Sequence, residues 1–585
     1  MSTSKSNVEK GPASSRKRSY LSEQKRQYLI ASRPAMSNIG LMSGGLPNVA
    51  TLLKGQGIEF EAVKSLQGRS PGGSPSTPAF GLARGPEILI ARLNPEQGEA
   101  LRLQSANGFG QLIVEHDSPL AYGAASNLKQ ALIGNFAAAR LDRTGLKPSP
   151  VRIQVVGADD KPVPGVTVLV FGAGLPSQGV SDDDGQVELP LYTFQPGQAD
   201  AVVAKPRQDY WDLVARNVEL RSDAPNVIQL RTFSETLPRY NKRPFLSWGQ
   251  ELMMQIQAPQ INGSGSVDGH GVKIAIIDSG CDNTHPSLQH ITSGFDVIDG
   301  GKSTGWMQDP FSHGTHCAGI IGARPARGFS MRGFAPAAEI HVFKIFPGGR
   351  LSDLVGALDQ CIEQGIDLVN LSVGTDEISF LVEQKILEAT QCGIACIAAT
   401  GNSGGEVQYP AKSPHVLAVA AIGRQSDFPI DSSHALTVAG AQTLDGTFSP
   451  DFTCHGPEVG VCAPGVAIIS TVPGGGFDAM DGTSVAAPHV TGLAALLLAH
   501  HPAFKSGLGK QRSAFRVGIL FELIKQNAAA LPFLGADRTG AGLPTLAAFN
   551  ADAFARLSAL RTPAMPHGFF MQPNPFLNQP MGLAA

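Results

Sequence analysis

The clearest hydrophobic pattern lies between about residues 240 and 556, where short, continuous apolar runs alternate with helix-like segments. Such runs predict strands that are buried on both faces, because a strand with one face in water alternates apolar and polar residues. Parallel strands need crossover connections, and the helix-like stretch from Ser352 to Gln364 fits one. The pattern therefore predicts an α/β domain with a parallel sheet between two helical layers. The predicted strands are 272–277, 340–345, 367–371, 394–399 and 416–421.

Two smaller units precede this domain. Residues 27–122 follow the order β-α-β-β-α-β, with Asn94 and Pro95 opening the second helix, and this order predicts a ferredoxin-like α+β domain. Residues 149–232 are β-rich and contain turn signals, which predicts a small β-sandwich. The acidic cluster at 182–184 lacks the alternating spacing of a calcium loop, and a turn is the better interpretation.

Composition narrows the class of protein. The 585 residues include 46 Lys and Arg against 49 Asp and Glu, so the net charge of −3 gives no general attraction to nucleic acid. Charged residues reach only 16% and hydrophobic residues 42%, which indicates a well-buried globular protein. Residues 1–26 and the Pro-rich segment 557–585 are predicted to be disordered or irregular tails. The longest nearly apolar stretch, 485–499, is shorter than a spanning helix, so we expect no membrane partner.

The N-terminus and the cysteines bear on the compartment. The first residues are polar and basic without an apolar core, so no secretory signal is visible. We therefore expect a cytoplasmic location, with export by a non-standard route as the alternative. The seven cysteines contain no CxxC pair and imply neither a disulfide framework nor a common zinc site. We expect no required cofactor; calcium is possible, but no clear motif supports it.

Three segments could carry chemistry, and each also has a purely structural interpretation. Asp278 follows an apolar strand, where an Asp can equally cap a helix. His313 and His316 have i, i+3 spacing, but no third metal ligand is apparent nearby, and one working imidazole at His313 with His316 as buried support is favoured. Ser484 stands at the start of a predicted buried helix, where free N–H groups can hold an oxyanion or where Ser can act as a plain N-cap.

Together, the segments DSG, HGTHCAG and GTSVAAPHVTG resemble, in this order, the three signatures of the subtilisin-like serine proteases (subtilases), and AATGN matches a fourth. The resemblance covers roughly 246–556 and implies a three-layer, subtilisin-like catalytic domain. It implies that Ser484 is the nucleophile, His313 the general base and Asp278 the group that orients the imidazole. It also implies that the side-chain amide of Asn402 belongs to the oxyanion hole.

The same resemblance extends to substrate binding. The segment from Leu371 to Gly374 resembles the edge strand on which a peptide substrate pairs. The implied substrate-binding residues, with Gln408 near the base of their pocket, are Ser372, Val373, Gly374, Thr400 and Gly401. Cys317 resembles the cysteine of a thiol-containing subset of the family. Residues 323–333 lack that family's Asn-containing calcium loop, which argues against tight calcium binding.

Residues 88–120 resemble the end of a subtilase propeptide, a domain that acts as chaperone and inhibitor. Residues 149–232 resemble a carboxypeptidase regulatory-like β-sandwich. The expected function is a serine endopeptidase that forms an acyl-enzyme, is made as a self-inhibited, self-processing precursor, and has protein or peptide substrates and its own propeptide as partners. Activity should fall below about pH 6.5–7 as the imidazole protonates.

Two alternatives accompany this expectation. The first is an inactive binding protein with the same fold, which equal activity of the wild type and Ser484→Ala would favour. The second is a sedolisin-like acid protease, which carries Glu where this chain has His313.

Overall fold

The computed structural model describes residues 25–33, 48–66, 87–108, 110–122, 146–241, 244–254, 267–300, 304–326 and 331–546. The predicted tail 557–585 lies outside these ranges, and so does the tail 1–26 except for its last two residues. Arg26 already begins the first strand, so the predicted tail is too long at its end.

The first unit is a four-stranded antiparallel sheet with two helices. Its strands pair in the order β2-β3-β1-β4. The helices Val49–Gly55 and Pro95–Ala106 each begin at an Asn whose side chain accepts a backbone N–H of the first turn. The strands are β1 (Arg26–Ser32), β2 (Phe60–Leu66), β3 (Ile88–Leu93) and β4 (Leu112–His116), followed by the separate two-residue strand β5 (Ala121–Tyr122).

The second unit consists of two sheets, with the orders β11-β10-β7-β8 and β12-β6-β9. Alternating residues of both sheets, such as Val151, Ile153 and Val155 on β6, form a buried apolar core of their own. The strands are β6 (Ser149–Val156), β7 (Thr167–Phe171), β8 (Ser177–Val180), β9 (Gln186–Leu191), β10 (Gln198–Lys205), β11 (Leu213–Glu219) and β12 (Asn226–Gln229).

The third unit contains the predicted parallel sheet, in the order β14-β15-β13-β16-β18-β19, with β21 parallel and β20 antiparallel to β19. Its central strands are buried throughout, which explains their continuous apolar sequence. The strands are β13 (Lys273–Asp278), β14 (Ser293–Asp296), β15 (Glu339–Lys344), β16 (Leu368–Leu371), β17 (Val373–Gly374), β18 (Ala395–Ala399), β19 (Val416–Arg424), β20 (Thr447–Phe448), β21 (Val459–Pro464), β22 (Ile468–Thr471), β23 (Phe477–Met480), β24 (Ala528–Ala529) and β25 (Leu543–Pro544).

Two helical layers cover this sheet. His313–Gly322 and Thr483–His500 pack together against it, and so do Leu351–Glu363 and Phe380–Gln391, which gives the predicted three-layer α/β fold. The remaining helices are Phe233–Thr236, Trp248–Met254, Gly507–Lys510, Ala514–Gln526 and Ala536–Thr539.

One core helix also has the composition of a membrane span. Within the described residues, Thr483–His500 alone has the necessary length and apolar content, but 94% of it lies inside the protein. The helix therefore behaves as the core of a globular domain.

Candidate functional site

Asp278, His313 and Ser484 meet at the carboxyl end of the parallel sheet. Asp278 is the last residue of β13, His313 is the first residue of its helix, and Ser484 lies in the first turn of Thr483–His500. Ser484 thus stands at the N-terminal end of the helix, which is the positive end of the helix dipole. Carboxyl ends of parallel strands are where such folds place their sites.

The three side chains form a continuous chain of contacts. His313 Nδ1 lies 2.9 Å from each carboxylate oxygen of Asp278, and His313 Nε2 lies 2.9 Å from Ser484 Oγ. All three side chains are buried. The two ring nitrogens thus face an acceptor on one side and a hydroxyl on the other, which is the arrangement that lets an imidazole take a proton from Ser484.

Glycines permit this close approach. A Cβ on Gly314, beside His313, would lie 2.0 Å from the carbonyl oxygen of Gly280. Gly280 itself has a φ of 119°, and a Cβ there would lie 2.3 Å from the carbonyl oxygen of Gln308. Larger residues would therefore push the imidazole away from Asp278.

The electrostatics of the site favour a protonated imidazole. Burial lowers the pKa of His313, but the adjacent Asp278 carboxylate outweighs burial and holds that pKa well above its usual range. His316 shows the opposite behaviour: burial lowers its pKa to about 3, and its Nε2 lies 2.8 Å from the carbonyl oxygen of Ile468. His316 is thus neutral and engaged with the backbone, as the sequence predicts for a supporting residue.

Asn402 lies beside the start of the Ser484 helix. Its Oδ1 accepts hydrogen bonds from the backbone N–H and the hydroxyl of Thr483, both at 2.9 Å. These bonds occupy the amide oxygen, so the group that Asn402 can offer to a substrate is its N–H donor. The arrangement is suited to binding an oxyanion next to Ser484.

The predicted substrate-binding residues divide into two groups. Val373 and Gly374 form β17, whose partner is β5: Val373 lies opposite Tyr122 and Gly374 opposite Ala121, in antiparallel register. Ser372 instead directs its hydroxyl inward, where it donates to the carbonyl oxygen of Ser484 at 2.8 Å. Its side chain supports the nucleophile helix, in contrast to the predicted contact with substrate.

Thr400 and Gly401 face Gln408. The backbone N–H of Gln408 donates to the carbonyl oxygen of Thr400, and the Gln408 amide oxygen packs so closely that a Cβ on Gly401 would lie 2.4 Å from it. The same oxygen lies 2.9 Å from the corresponding position on Gly374. Gln408 therefore sits between the two edges of the predicted pocket.

Sequence reasoning missed two supporting groups. The half-buried carboxylate of Asp309 accepts hydrogen bonds from Ser279 Oγ at 2.7 Å and from Thr315 at 2.8 and 2.6 Å, so it ties the Asp278 turn to the His313 helix. Thr491 donates to Asn370, which donates to Ser372. Burial raises the pKa of Asp309. A single Asp in an irregular segment carries no sequence signal of this kind.

The site also contains side chains of the types that bind metals. In the described part of the chain, one group of three His, Cys, Asp or Glu residues has ligand atoms within 4.8 Å of one another: Asp278, His313 and Cys317. Asp278 and His313 already contact each other in the series of contacts that leads to Ser484. The Cys317 thiol is buried, its pKa is raised by burial, and it lies 3.5 Å from the Ser484 carbonyl oxygen.

The fold and the arrangement of Asp278, His313 and Ser484 define the class of protein. The model of the subtilase family matches residues 269–538, and the chain belongs to the subtilase family. Subtilisin from Bacillus pumilus is 34% identical over 266 residues, which cover 44% of this chain and 87% of that relative. Subtilisin E from Bacillus subtilis (strain 168) is also 34% identical, and the match covers 44% of this chain but only 63% of its length. A cold adapted subtilisin-like serine proteinase of known structure is 26% identical, with 48% and 90% of the two chains covered and a TM-score of 0.38.

The relatives overturn one expectation. The predicted cytoplasmic location is wrong, because the subtilisin homologues are secreted extracellular proteases. Export is the closer of the two locations considered. The prediction failed because it rested only on the polar character of the first residues.

Proposed function

We propose that the chain is a serine endopeptidase that cleaves peptide bonds through an acyl-enzyme intermediate. The observation that carries this proposal is the chain of contacts from Asp278 through His313 to Ser484. In the proposed mechanism, Ser484 Oγ attacks the scissile carbonyl while His313 Nε2 takes its proton. Asp278 holds the imidazole in place and stabilises the imidazolium.

Two groups are proposed as donors to the oxyanion that forms. These are the Asn402 side-chain amide and the backbone N–H of Ser484. Loss of one such donor typically lowers kcat by about 10²–10³-fold. His313 then delivers its proton to the leaving amine, and water repeats the sequence to release the acyl group.

The raised pKa of His313 sets the pH range of activity. The imidazole acts as a base only when it is neutral, so a raised pKa keeps it protonated, and inactive, to a higher pH. We therefore expect the acidic limb of the kcat/KM profile above the range of 6.5–7 that an ordinary imidazole would give. A pH profile measured with a peptide substrate tests this, and a midpoint within or below that ordinary range would contradict it.

We further propose that the first unit is an inhibitory propeptide. The two-residue strand β5 occupies β17, the edge on which a substrate would pair. The backbone N–H of Leu120, the residue before β5, also donates to the carbonyl oxygen of Gly349 in the catalytic domain. Tyr122 lies opposite Val373, the neighbour of Ser372, whose hydroxyl donates to the carbonyl oxygen of Ser484. The first unit thus leads its own chain toward the nucleophile.

The first unit is also anchored at two helix N-termini. The carboxylate of Glu115 accepts from Ser379 Oγ and the backbone N–H of Phe380, at 2.6 and 2.7 Å, where Phe380–Gln391 begins. Asp117 accepts from the backbone N–H and the hydroxyl of Ser352, at 2.9 and 2.7 Å, in the first turn of Leu351–Glu363. Carboxylates at these positions complement the positive ends of both helix dipoles.

A fluorophosphonate probe tests the peptidase proposal, because such probes modify only an activated Ser. The processed wild type should be labelled at Ser484 and should degrade casein, and Ser484→Ala should do neither. Ser506→Ala is the matched control, because Ser506 is exposed and lies outside the site. A folded, processed wild type that resists labelling would refute the proposal.

A further inference from the structure

The β-sandwich is docked onto the catalytic domain by specific contacts. Asp209 and Phe477 exchange hydrogen bonds: the backbone N–H of Asp209 donates to the Phe477 carbonyl oxygen at 2.7 Å, and the Phe477 N–H donates to Asp209 Oδ1 at 3.1 Å. Asp212 accepts from the backbone N–H of Ser433 at 3.0 Å. The buried ring of Trp211 meets the His434 ring edge-on at 5.6 Å.

A groove of about 1030 Å³ runs between the two domains, at the upper end of the ~300–1,000 Å³ of ordinary ligand clefts. The catalytic domain supplies Ser312, His313 and the segment 478–481, which leads into the Ser484 helix. The sandwich supplies residues 205–210 and parts of the turn at 162–164. The lining of the groove therefore includes both His313 and the sandwich.

The groove is separate from the edge on which the acyl half of a substrate would pair. The acyl half of a substrate would occupy β17, where β5 now pairs, and none of the residues of β17 lines the groove. The leaving amine receives its proton from His313, so the polypeptide beyond the scissile bond must begin against this ring. The groove is the space next to His313 in which that polypeptide can continue.

Most of the carboxylates that line the groove already accept hydrogen bonds from other groups of the protein. Asp209 and Asp212 accept the bonds given above, and Asp481 lies 2.7 Å from both His434 Nδ1 and the backbone nitrogen of Ala467. Burial raises the pKa of Asp478 to about 7, against the lowering effect of Lys205. Asp478 is thus only partly ionised near neutral pH.

Arg207 differs from these groups. It is exposed on the sandwich side of the groove, and in the part of the chain that the structure describes no carboxylate pairs with it. Its side chain packs over Gly165, whose φ of 72° and missing Cβ leave the space that the guanidinium fills. A guanidinium held in this way can bind a carboxylate through two hydrogen bonds.

We propose that the β-sandwich forms one wall of the leaving-group half of the substrate cleft, where Arg207 binds an acidic side chain of the polypeptide beyond the scissile bond. This proposal rests on the endopeptidase function proposed above. It makes the sandwich a part of the mature enzyme that determines specificity.

The test uses processed full-length enzyme and internally quenched peptides. The peptides come in pairs that differ only by Glu or Gln at the first, second or third residue after the scissile bond. For wild type we expect kcat/KM about threefold higher for the Glu peptide of at least one pair, since an exposed ion pair contributes little more than that. The ratio should fall toward one at high salt.

Variants then assign the preference to the groove. Arg207→Glu should invert the Glu-to-Gln ratio, and Arg207→Gln should bring it to one. Arg152→Glu is the matched control: Arg152 lies on β6, in the other sheet, and does not line the groove. It should keep the wild-type ratio. Because each ratio is taken within a single variant, differences in the amount of folded enzyme cancel.

The outcomes distinguish a failure of this proposal from a failure of the endopeptidase proposal on which it rests. A wild type that cleaves the peptides with a ratio of one at all three positions, or an unchanged ratio in Arg207→Glu, overturns the role of the sandwich and leaves the peptidase standing. A wild type that cleaves no peptide and binds no fluorophosphonate overturns both.

Discussion

The first unit and the β-sandwich contact the same catalytic domain in different ways. The first unit has a sheet with two apolar faces: one packs on its own helices, and the other, with Leu29, Ile90 and Ile113, joins the core of the catalytic domain. The sandwich closes its main core between its own two sheets. It reaches the catalytic domain through Trp211 and through hydrogen-bonded carboxylates such as Asp212. A smaller apolar cluster on its outer face, which includes Val203 and Val214, packs against Leu436.

This difference indicates different fates. A sheet that exposes an apolar face when it leaves loses part of the burial that stabilises it, so the first unit depends on the catalytic domain for its stability. The sandwich keeps the larger of its two apolar clusters, the one between its own sheets, in any case. We therefore expect the first unit to be the part that is separated and degraded, and the sandwich to remain with the mature enzyme.

The largest expected effect comes from Ser484→Ala. Loss of the nucleophile should lower peptidase activity by at least ~10⁴-fold, and the chain should stay uncleaved between the first unit and the sandwich. The wild type should gain a new N-terminus within a few residues after Tyr122, because β5 directs the chain toward Ser484. N-terminal sequencing and intact mass of both proteins give the answer.

The same measurement can contradict the different fates that we expect for the first unit and the sandwich. A mature N-terminus beyond residue 232 would show that the sandwich leaves together with the first unit. An identical N-terminus in wild type and Ser484→Ala would show that another protease makes the cut.

The next effect concerns the anchoring of the first unit. Glu115→Ala removes the acceptor of Ser379 and of the backbone N–H of Phe380, and hydrogen bonds to a charged group contribute ~1.5–3 kcal/mol. We expect the processed first unit to bind about 10- to 100-fold more weakly, so that activity appears after a shorter lag. Glu115→Gln keeps an acceptor and should have a smaller effect. An unchanged lag in Glu115→Ala would contradict the inhibitory role of this contact.

The parallel sheet and the side chains of the site could be predicted from the sequence, but the contacts between the sandwich and the catalytic domain could not. Continuous apolar runs are sufficient to locate a parallel sheet, because burial on both faces leaves a direct compositional trace. The motifs also identify the side chains that converge at Asp278, His313 and Ser484. The docking of the sandwich escaped prediction, because Asp209 and Phe477 are 268 residues apart and neither carries a local pattern.

Side-chain direction was the other limit. The resemblance implied substrate contact for the whole edge at 372–374, but neighbouring residues of an extended chain point to opposite sides. The Ser372 hydroxyl points to the Ser484 carbonyl oxygen, whereas the backbone of β17 pairs with β5. The sequence alone contains no information on which of the two directions Ser372 takes.

A smaller effect is the pH dependence of the first unit's binding. Burial raises the pKa of Glu115 in the docked state, although Ser379 and the N–H groups of Phe380 and Leu381 oppose the rise. A pKa that is raised on docking means that the docked state takes up a proton. This contribution is complete below the ordinary Glu pKa and is lost as the pH rises through the raised value.

We therefore expect the processed first unit to stay bound more tightly at pH 5 than at pH 7, by at most about tenfold per pH unit for one proton. Size-exclusion chromatography of the processed complex measures binding independently of activity, which avoids the titration of His313. Glu115→Gln should flatten the dependence. Tighter binding at pH 7 than at pH 5 would reverse the assigned sign.

The smallest effect belongs to the sandwich. Asp212→Asn keeps one acceptor for Ser433 but removes the charge, so we expect a loss of about 1 kcal/mol in docking. The matched control is Asp160→Asn, because Asp160 is exposed on the sandwich and does not line the groove. Limited proteolysis in the linker after residue 232 should be faster in Asp212→Asn by about fivefold, because the open, undocked form is the one that is cut. Equal cleavage of wild type and Asp212→Asn would mean that Trp211 and the Asp209–Phe477 pair hold the sandwich without this carboxylate, and Asp212 would then have no part in the contrast with the first unit.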